Sequence, residues 1–391
     1  MERYSGISFE KKHSAKQGCT PIYLDNNATT QPSPEVLEAI RPFISELYAN
    51  PSANYVIAGR PTEALDIARE KVAGAIGADP SEIIFTSGGS ESVNTAIGSA
   101  LSSRRPGRKQ IITTSVDHSC VLGSCGVFHD AGYDFTILDV DKDGNIDFNQ
   151  LQKAAGDHTA LISAMWVNNE IGNIYPVQKI AEIAKQYDIP LHIDAVQALG
   201  KVPVDLHSID GIDYASFSAH KCHGLKGTGA LYVKNGSPYF PLVHGGSQEG
   251  GKRAGTENVI GIIAMGEAAD LASRNLSSDI AREKRLRDRF ESEMKKMSGI
   301  RINGDIRNRV ANTSNISFRY IDSQKLSKKL GDLGLYTSTG SACARGGPSH
   351  VLRAMRASPE GGVRFSFSRY NTDEEIDQAI ITTKKACQEL R

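Results

Sequence analysis

The sequence predicts an α/β fold: a large domain built on a mostly parallel seven-stranded sheet, followed by a smaller α+β C-terminal domain. Two observations lead there. From about residue 34 to 270, seven short β-rich runs alternate with helical patterns, the form taken by a sheet covered with helices on both faces. The chain is also 391 residues long, beyond the roughly 250 to 300 residues at which a single core stops growing.

Residues 1–20 mix Glu2, Arg3, Glu10, Lys11, Lys12 and Lys16 with small polar residues and are read as a flexible lead-in, without the apolar stretch of a signal peptide. Val36, Ala39, Ile40, Phe43, Ile44 and Leu47 then recur at helical spacing, as do Val177, Ile180, Ile183 and Ala184. The strand candidates are Ile83–Thr86, Ile111–Ser115, Phe135–Val140, Leu161–Trp166, Leu191–Asp194, Tyr214–Ser218 and Gly229–Val233. A long helical pattern from Val259 through Lys296 leads into the second lobe, where strand-like Asn315–Phe318 and Val363–Ser368 are interleaved with helices. The last helix starts at Thr372 as N-cap, with Glu375 three residues on and Ile376, Ile380 and Ile381 along one face.

Acidic and basic residues balance at 45 each, and no long like-charge run appears, so no direct nucleic-acid binding is expected. Six cysteines (19, 120, 125, 222, 343, 387) with no CxxC pair suggest neither a disulfide framework nor a metal site, and a reducing, cytoplasmic setting fits. No apolar run reaches the roughly 18 residues a membrane span needs.

Three strand ends carry polar residues. Phe85-Thr86-Ser87-Gly88-Gly89-Ser90-Glu91 runs from strand through glycines into a helix, which can bring backbone N–H groups, a helix N-terminus and a hydroxyl around a phosphate. Such turns also serve as plain connectors. Leu191-His192-Ile193-Asp194 is an apolar strand ending on a carboxylate, which needs a cationic partner such as a protonated pyridine nitrogen or, more blandly, caps the next helix. In Ser216-Phe217-Ser218-Ala219-His220-Lys221 a lysine just past a strand end is either solvated or desolvated enough to offer a neutral amine for a Schiff base. Their order along the chain, phosphate loop, carboxylate, lysine, favours the second reading.

With Tyr23-Leu24-Asp25-Asn26-Asn27-Ala28-Thr29-Thr30, Val167-Asn168-Asn169-Glu170-Ile171-Gly172, Gly246-Ser247-Gln248-Glu249, Arg253-Ala254-Gly255-Thr256, Gly340-Ser341-Ala342-Cys343 and Pro348-Ser349-His350-Val351-Leu352, these segments resemble the cysteine desulfurases. That family lies in the class V aminotransferase group of fold-type I enzymes dependent on pyridoxal phosphate (PLP). The resemblance covers roughly residues 22 to 382. It implies that residues 21–33 pack with the small domain, that 34–270 form the PLP-binding domain and that 271–391 form the small domain carrying a catalytic cysteine.

Position by position, the resemblance implies that Lys221 holds PLP and moves protons at the substrate Cα, while Asp194 pairs with the pyridine nitrogen. His118 stacks on the ring and shuttles protons; its other reading is a structural histidine. Asn169 and Gln197 bind the ring oxygen, Asn169 also facing the substrate. Gly89, Ser90, Ser218 and His220 hold the phosphate, joined by Thr256 from the neighbouring subunit of a homodimer. Arg364 grips the carboxylate of L-cysteine, with Arg369 as the residue most easily confused with it. Cys343 takes the sulfur as a persulfide, with release of L-alanine, and passes it to an acceptor protein serving iron–sulfur cluster assembly, tRNA thiolation or DNA sulfur modification.

The sequence departs from the family's pattern at Tyr55, where a histidine is usual, at Gly250, where an arginine is usual, and in a short stretch from Cys343 to Pro348. Cys222 directly after Lys221 is unusual and is read as a packing residue. A selenocysteine lyase or a cysteine/cystine β-lyase on the same fold, and a non-catalytic sulfur-transfer scaffold, are the alternatives.

Overall fold

In the computed structural model, residues 21–102, 107–340, 349–358 and 360–391 are described, without the side chain of Cys125. The lead-in 1–20 and the segment 341–348, which contains Cys343, lie outside them.

The elements follow one another as β1 (Ile22–Tyr23), α1 (Pro34–Ser45), α2 (Gly59–Ile76), β2 (Ile83–Thr86), α3 (Gly89–Ser102), β3 (Gln110–Thr114), α4 (Ser119–Asp130), β4 (Asp134–Leu138), α5 (Phe148–Ala154), β5 (Thr159–Met165), α6 (Val177–Gln186), β6 (Leu191–Asp194), β7 (Tyr214–Ser218) and β8 (Gly229–Val233). Then come α7 (Val259–Arg274), α8 (Leu276–Lys295), β9 (Ile300–Asn303), β10 (Thr313–Phe318), α9 (Ser323–Asp332), β11 (Leu335–Tyr336), α10 (His350–Ala354), β12 (Val363–Ser366) and α11 (Asp373–Leu390).

Seven strands form one sheet in the order β2-β8-β7-β6-β5-β3-β4. The pairs from β7 to β4 are parallel, and β8 runs antiparallel to both β7 and β2. Side chains alternate across it with the period of two that a strand imposes. Ile83, Phe85, Ile112, Ile193 and Phe217 join the core under α1, α2, α6 and α7, whereas Ile84, Ile111, Leu161, Tyr214 and Leu231 pack under α3 on the other face. Both faces are covered, so these strands read as continuous apolar runs.

A second core gathers Leu286, Phe290 and Met294 of α8 with β10, β12 and α11 around an antiparallel sheet, β12-β10-β9. Ile22 and Leu24 belong to this core, and β1 pairs with β11. Beyond them the chain crosses to the first core, where the Thr30 and Ser33 N–H groups donate to the His220 and His223 carbonyls, each at 2.9 Å.

The single helical pattern expected from Val259 through Lys296 is two helices. Asn275 leaves the helical region (φ −96°, ψ 1°) and ends α7 while starting α8. The periodicity survives the break because α7 is buried in the first core and α8 in the second, each needing its own apolar face. The capping box at Thr372 and Glu375 is formed as expected.

Candidate active site

Parallel strands place their C-terminal ends along one edge of a sheet, and polar residues there can face a crevice without breaking the core. β6 ends at Asp194 and β7 at Ser218, while β3 and β5 lead to His118 and to Val167–Asn169. β2, parallel to β7 through β8, leads into Gly89 and α3. These ends surround a cavity of about 270 Å³ lined by Gly89, Ser90, His118, Asn169, Asp194, Gln197, Ser218, His220, Lys221 and Arg364, with Asn27, Ala28, Cys120, Met165, Val167 and Val196.

Asp194 is 6% exposed, and its Oδ1 accepts from the Val196 N–H at 3.0 Å. Burial raises its carboxyl to about 6, while the Val196 bond and the nearby Lys221 charge oppose that rise. A cation in the cavity would complete it. The Lys221 ammonium donates to the carbonyls of Asn27 and Ala28, each at 2.8 Å, so the N-terminal segment fixes where this amine stands.

Across the cavity, α3 begins at Gly89 with Ser90 in its first turn, next to Ser218 and His220. A side chain at 89 would put its Cβ 2.7 Å from Val196 Cγ2, so only glycine lets the loop approach the turn after β6. The N-terminal N–H groups and the positive end of α3 suit this end of the cavity to an anion. The His220 ring lies 3.1 Å from Thr29 Oγ1, and burial lowers it to about 4.

His118 is the N-cap of α4, and its Nδ1 accepts the Cys120 N–H at 3.2 Å. A neutral ring in that bond carries its proton on Nε2. Burial first, then the Lys221 charge, lower it to about 4, so it is neutral at ordinary pH. Arg364 is 1% exposed; it donates to Asp25 Oδ1 at 2.6 Å and to the Asn169 carbonyl at 2.9 Å, and its Nε has no partner among the described residues. Arg369 is instead paired with Asp279 at 3.2 Å, outside this cavity.

Thr256 does not line the cavity in its own chain and is exposed; its neighbours Gly255 and Glu257 line a separate void with Thr86 and Ser87. Cys343 lies outside the described residues, but Ser349, just after that segment, donates to Glu170 Oε2 at 2.5 Å, beside Gly340 at its other flank. Cys222 is buried, burial raises its thiol to about 11, and it packs near Ala219. Tyr55 is 55% exposed, and Gly250 sits at φ +64° in the turn Gln248–Gly251.

Sequence reasoning assigned no role to Asn27, Cys120 or Asp25. The Asn27 contribution is a backbone carbonyl, which has no residue-type signature. The Cys120 Sγ lies 3.0 Å from His118 Nδ1, a contact that its position two residues after a candidate histidine could have suggested.

The family model for class-V aminotransferases matches residues 22–379. A cysteine desulfurase of Nostoc sp. is 43% identical over 376 residues, 95% of this chain and 94% of that protein. Among solved structures, a NifS-like protein has a TM-score of 0.89 at 36% identity, covering 95% of this chain and 99% of that one. Another, described as SspA in complex with cysteine, has a TM-score of 0.79 at 35% identity, covering 90% and 100%.

Proposed function

The chain belongs to the class V aminotransferase family, and from that premise and the cavity's chemistry we propose that it is a PLP-dependent cysteine desulfurase, converting L-cysteine to L-alanine and transferring the sulfur onto Cys343. The observation that carries this reading is the meeting, in one cavity, of a buried carboxylate, a lysine amine, an anion-binding helix end and a buried arginine. A solved relative described in complex with cysteine supports the substrate.

Pyridoxal phosphate fits these residues. The start of α3 with Ser90, Ser218 and His220 would hold its phosphate, Asp194 would pair with its ring nitrogen, Lys221 would hold it through the amine, and Asn169 and Gln197 would flank it. When bound, the group supplies an electron-withdrawing ring that acidifies the Cα proton of an attached amino acid.

The chain's own side chains then divide the work. Arg364 binds the substrate carboxylate through its planar fork. Lys221 carries the proton at Cα. His118, neutral and protonated on Nε2, delivers and recovers protons beside the reacting sulfur. The Cys343 thiolate takes that sulfur: the substrate Cβ–S bond breaks, a Cys343 S–S bond forms, and cysteine plus one thiol become alanine plus one persulfide. The persulfide passes to an acceptor protein by thiol exchange, in service of iron–sulfur cluster assembly, tRNA thiolation or DNA sulfur modification.

The reading includes a cytoplasmic homodimer in which Thr256 completes the partner's phosphate site. Exposed Tyr55, Val56, Ile57, Phe240 and Leu242 support a covered surface. It also divides the chain into a PLP domain, 34–270, and a small domain, 271–391, a division supported by the nearby break at Asn275 and by the core of α8, β10, β12 and α11, while Val310, Val351, Leu352 and Met355 join the first core. Among the described residues no helix is long and apolar enough to cross a membrane.

Borohydride reduction of the PLP-loaded protein followed by peptide mapping tests the cofactor site. A pyridoxyl group on the Lys221 peptide is expected; label on another lysine, or none, overturns the assignment.

A further inference from the structure

The turn after β6 carries a buried lysine that the reaction described above does not use. Lys201 is 7% exposed, and its ammonium lies 2.5 Å from Gln197 Oε1. A lysine only donates, so the amide oxygen must face it. At the other end, Gln197 Nε2 donates at 3.0 Å to the Asn27 carbonyl, which only accepts. The amide is clamped in one orientation, and Nε2 keeps a second hydrogen for the cavity that Gln197 lines. The same Asn27 carbonyl accepts from Lys221, so the two lysines share one network.

The void behind Lys201 is closed from the other core. Glu283 of α8 is 7% exposed and, with Lys201 and Arg369, lines a polar void of about 20 Å³ behind Lys221. Burial pushes Lys201 down to about 8 against the pull of Glu283, while Arg364 adds to the lowering and Cys222 opposes it. Arg369 is engaged with Asp279. A buried ammonium is costly unless something accepts from it; here the Gln197 amide oxygen does so and, at 3.5 Å, the Lys221 carbonyl, while burial raises the nearby Glu283 carboxyl to about 8.

We infer that Lys201 is a positioning residue for the cofactor: by fixing the Gln197 amide it turns a hydrogen-bond donor toward the ring oxygen and favours that oxygen's deprotonated form. This rests on the PLP reading above.

The test is the pH titration of the visible absorbance band of the PLP-loaded protein. Lys201→Met moves the midpoint up by about one pH unit, the scale of one lost charge-assisted interaction, and Lys201→Arg keeps it near that of the unsubstituted protein. Gln197→Met moves it too, and Lys201→Met adds nothing in a Gln197→Met background because it acts through that amide. Lys201→Gln, which can still donate to the Gln197 oxygen but without the charge, gives a smaller upward shift and serves as the readout should the methionine variant not fold. An unmoved midpoint, or shifts at 197 and 201 that add, overturns the role of Lys201. An unsubstituted protein with no visible band overturns the cofactor reading instead.

Discussion

Burial raises the Asp194 carboxyl to about 6, so it is ionised at neutral pH and gains from any cation placed against it. Affinity for PLP is therefore expected to fall as pH drops below about 6. Asp194→Asn removes that pH dependence and lowers kcat by more than about a hundredfold, the scale of losing one preorganised charge; fluorescence titration and steady-state kinetics check the two parts. Arg364→Lys keeps the charge but loses the fork, and raises KM for cysteine by about 10- to 100-fold, one charge-assisted bond's worth, while the cofactor's absorbance stays. Asp194 and Lys221 were legible in the sequence because each interrupts or directly follows an apolar strand, where a charge needs a reason. The Asn27 carbonyl was not, since any residue supplies one.

Strands carry the site by where they stop. β8 returns antiparallel beside β7 at a glycine: a Cβ at Gly229 would lie 2.6 Å from the Phe217 carbonyl and 2.7 Å from Gly88 Cα. Gly229→Ala is expected to cost about 1–3 kcal/mol, as overpacking does, and to loosen PLP because Gly88 leads into α3; urea unfolding with and without cofactor separates the two. His192 in β6 is fully buried between Ser163 and Ser216, at 2.8 and 2.9 Å, and burial lowers it to about 3. The unfolded chain takes up a proton near pH 6.5 and the folded one resists, so this histidine costs stability as pH falls from about 6.5 toward 3. His192→Gln flattens the fall of unfolding free energy with acid by up to about 1.4 kcal/mol per pH unit, measured by urea unfolding across pH. Four strands have the boundaries expected from the sequence, because β-rich apolar runs bounded by polar ends are local signals. The break at Asn275 was hidden, because one periodic pattern feeds two cores.

At the scale of the molecule, two cores are joined by the N-terminal crossing from β1 to Lys221 and by the turn at Asn275, and the cavity takes Arg364 from the second core and the remaining charged groups from the first. The change of pattern between the stretch that feeds the first core and the stretch that feeds the second was legible; the contact between the two cores was not, because it depends on single buried pairs such as Arg364 with Asp25. Sedimentation is expected to give twice the 42.2 kDa of one chain, with Thr256→Ala weakening PLP binding without dissociating the dimer. The most direct test of the desulfurase reading is mass spectrometry of the PLP-loaded protein after incubation with cysteine. One extra sulfur on the peptide containing Cys343, absent in Cys343→Ala together with alanine formation, is predicted. Alanine released at an undiminished rate by Cys343→Ala, or the sulfur found on the Cys120 peptide instead, would contradict it.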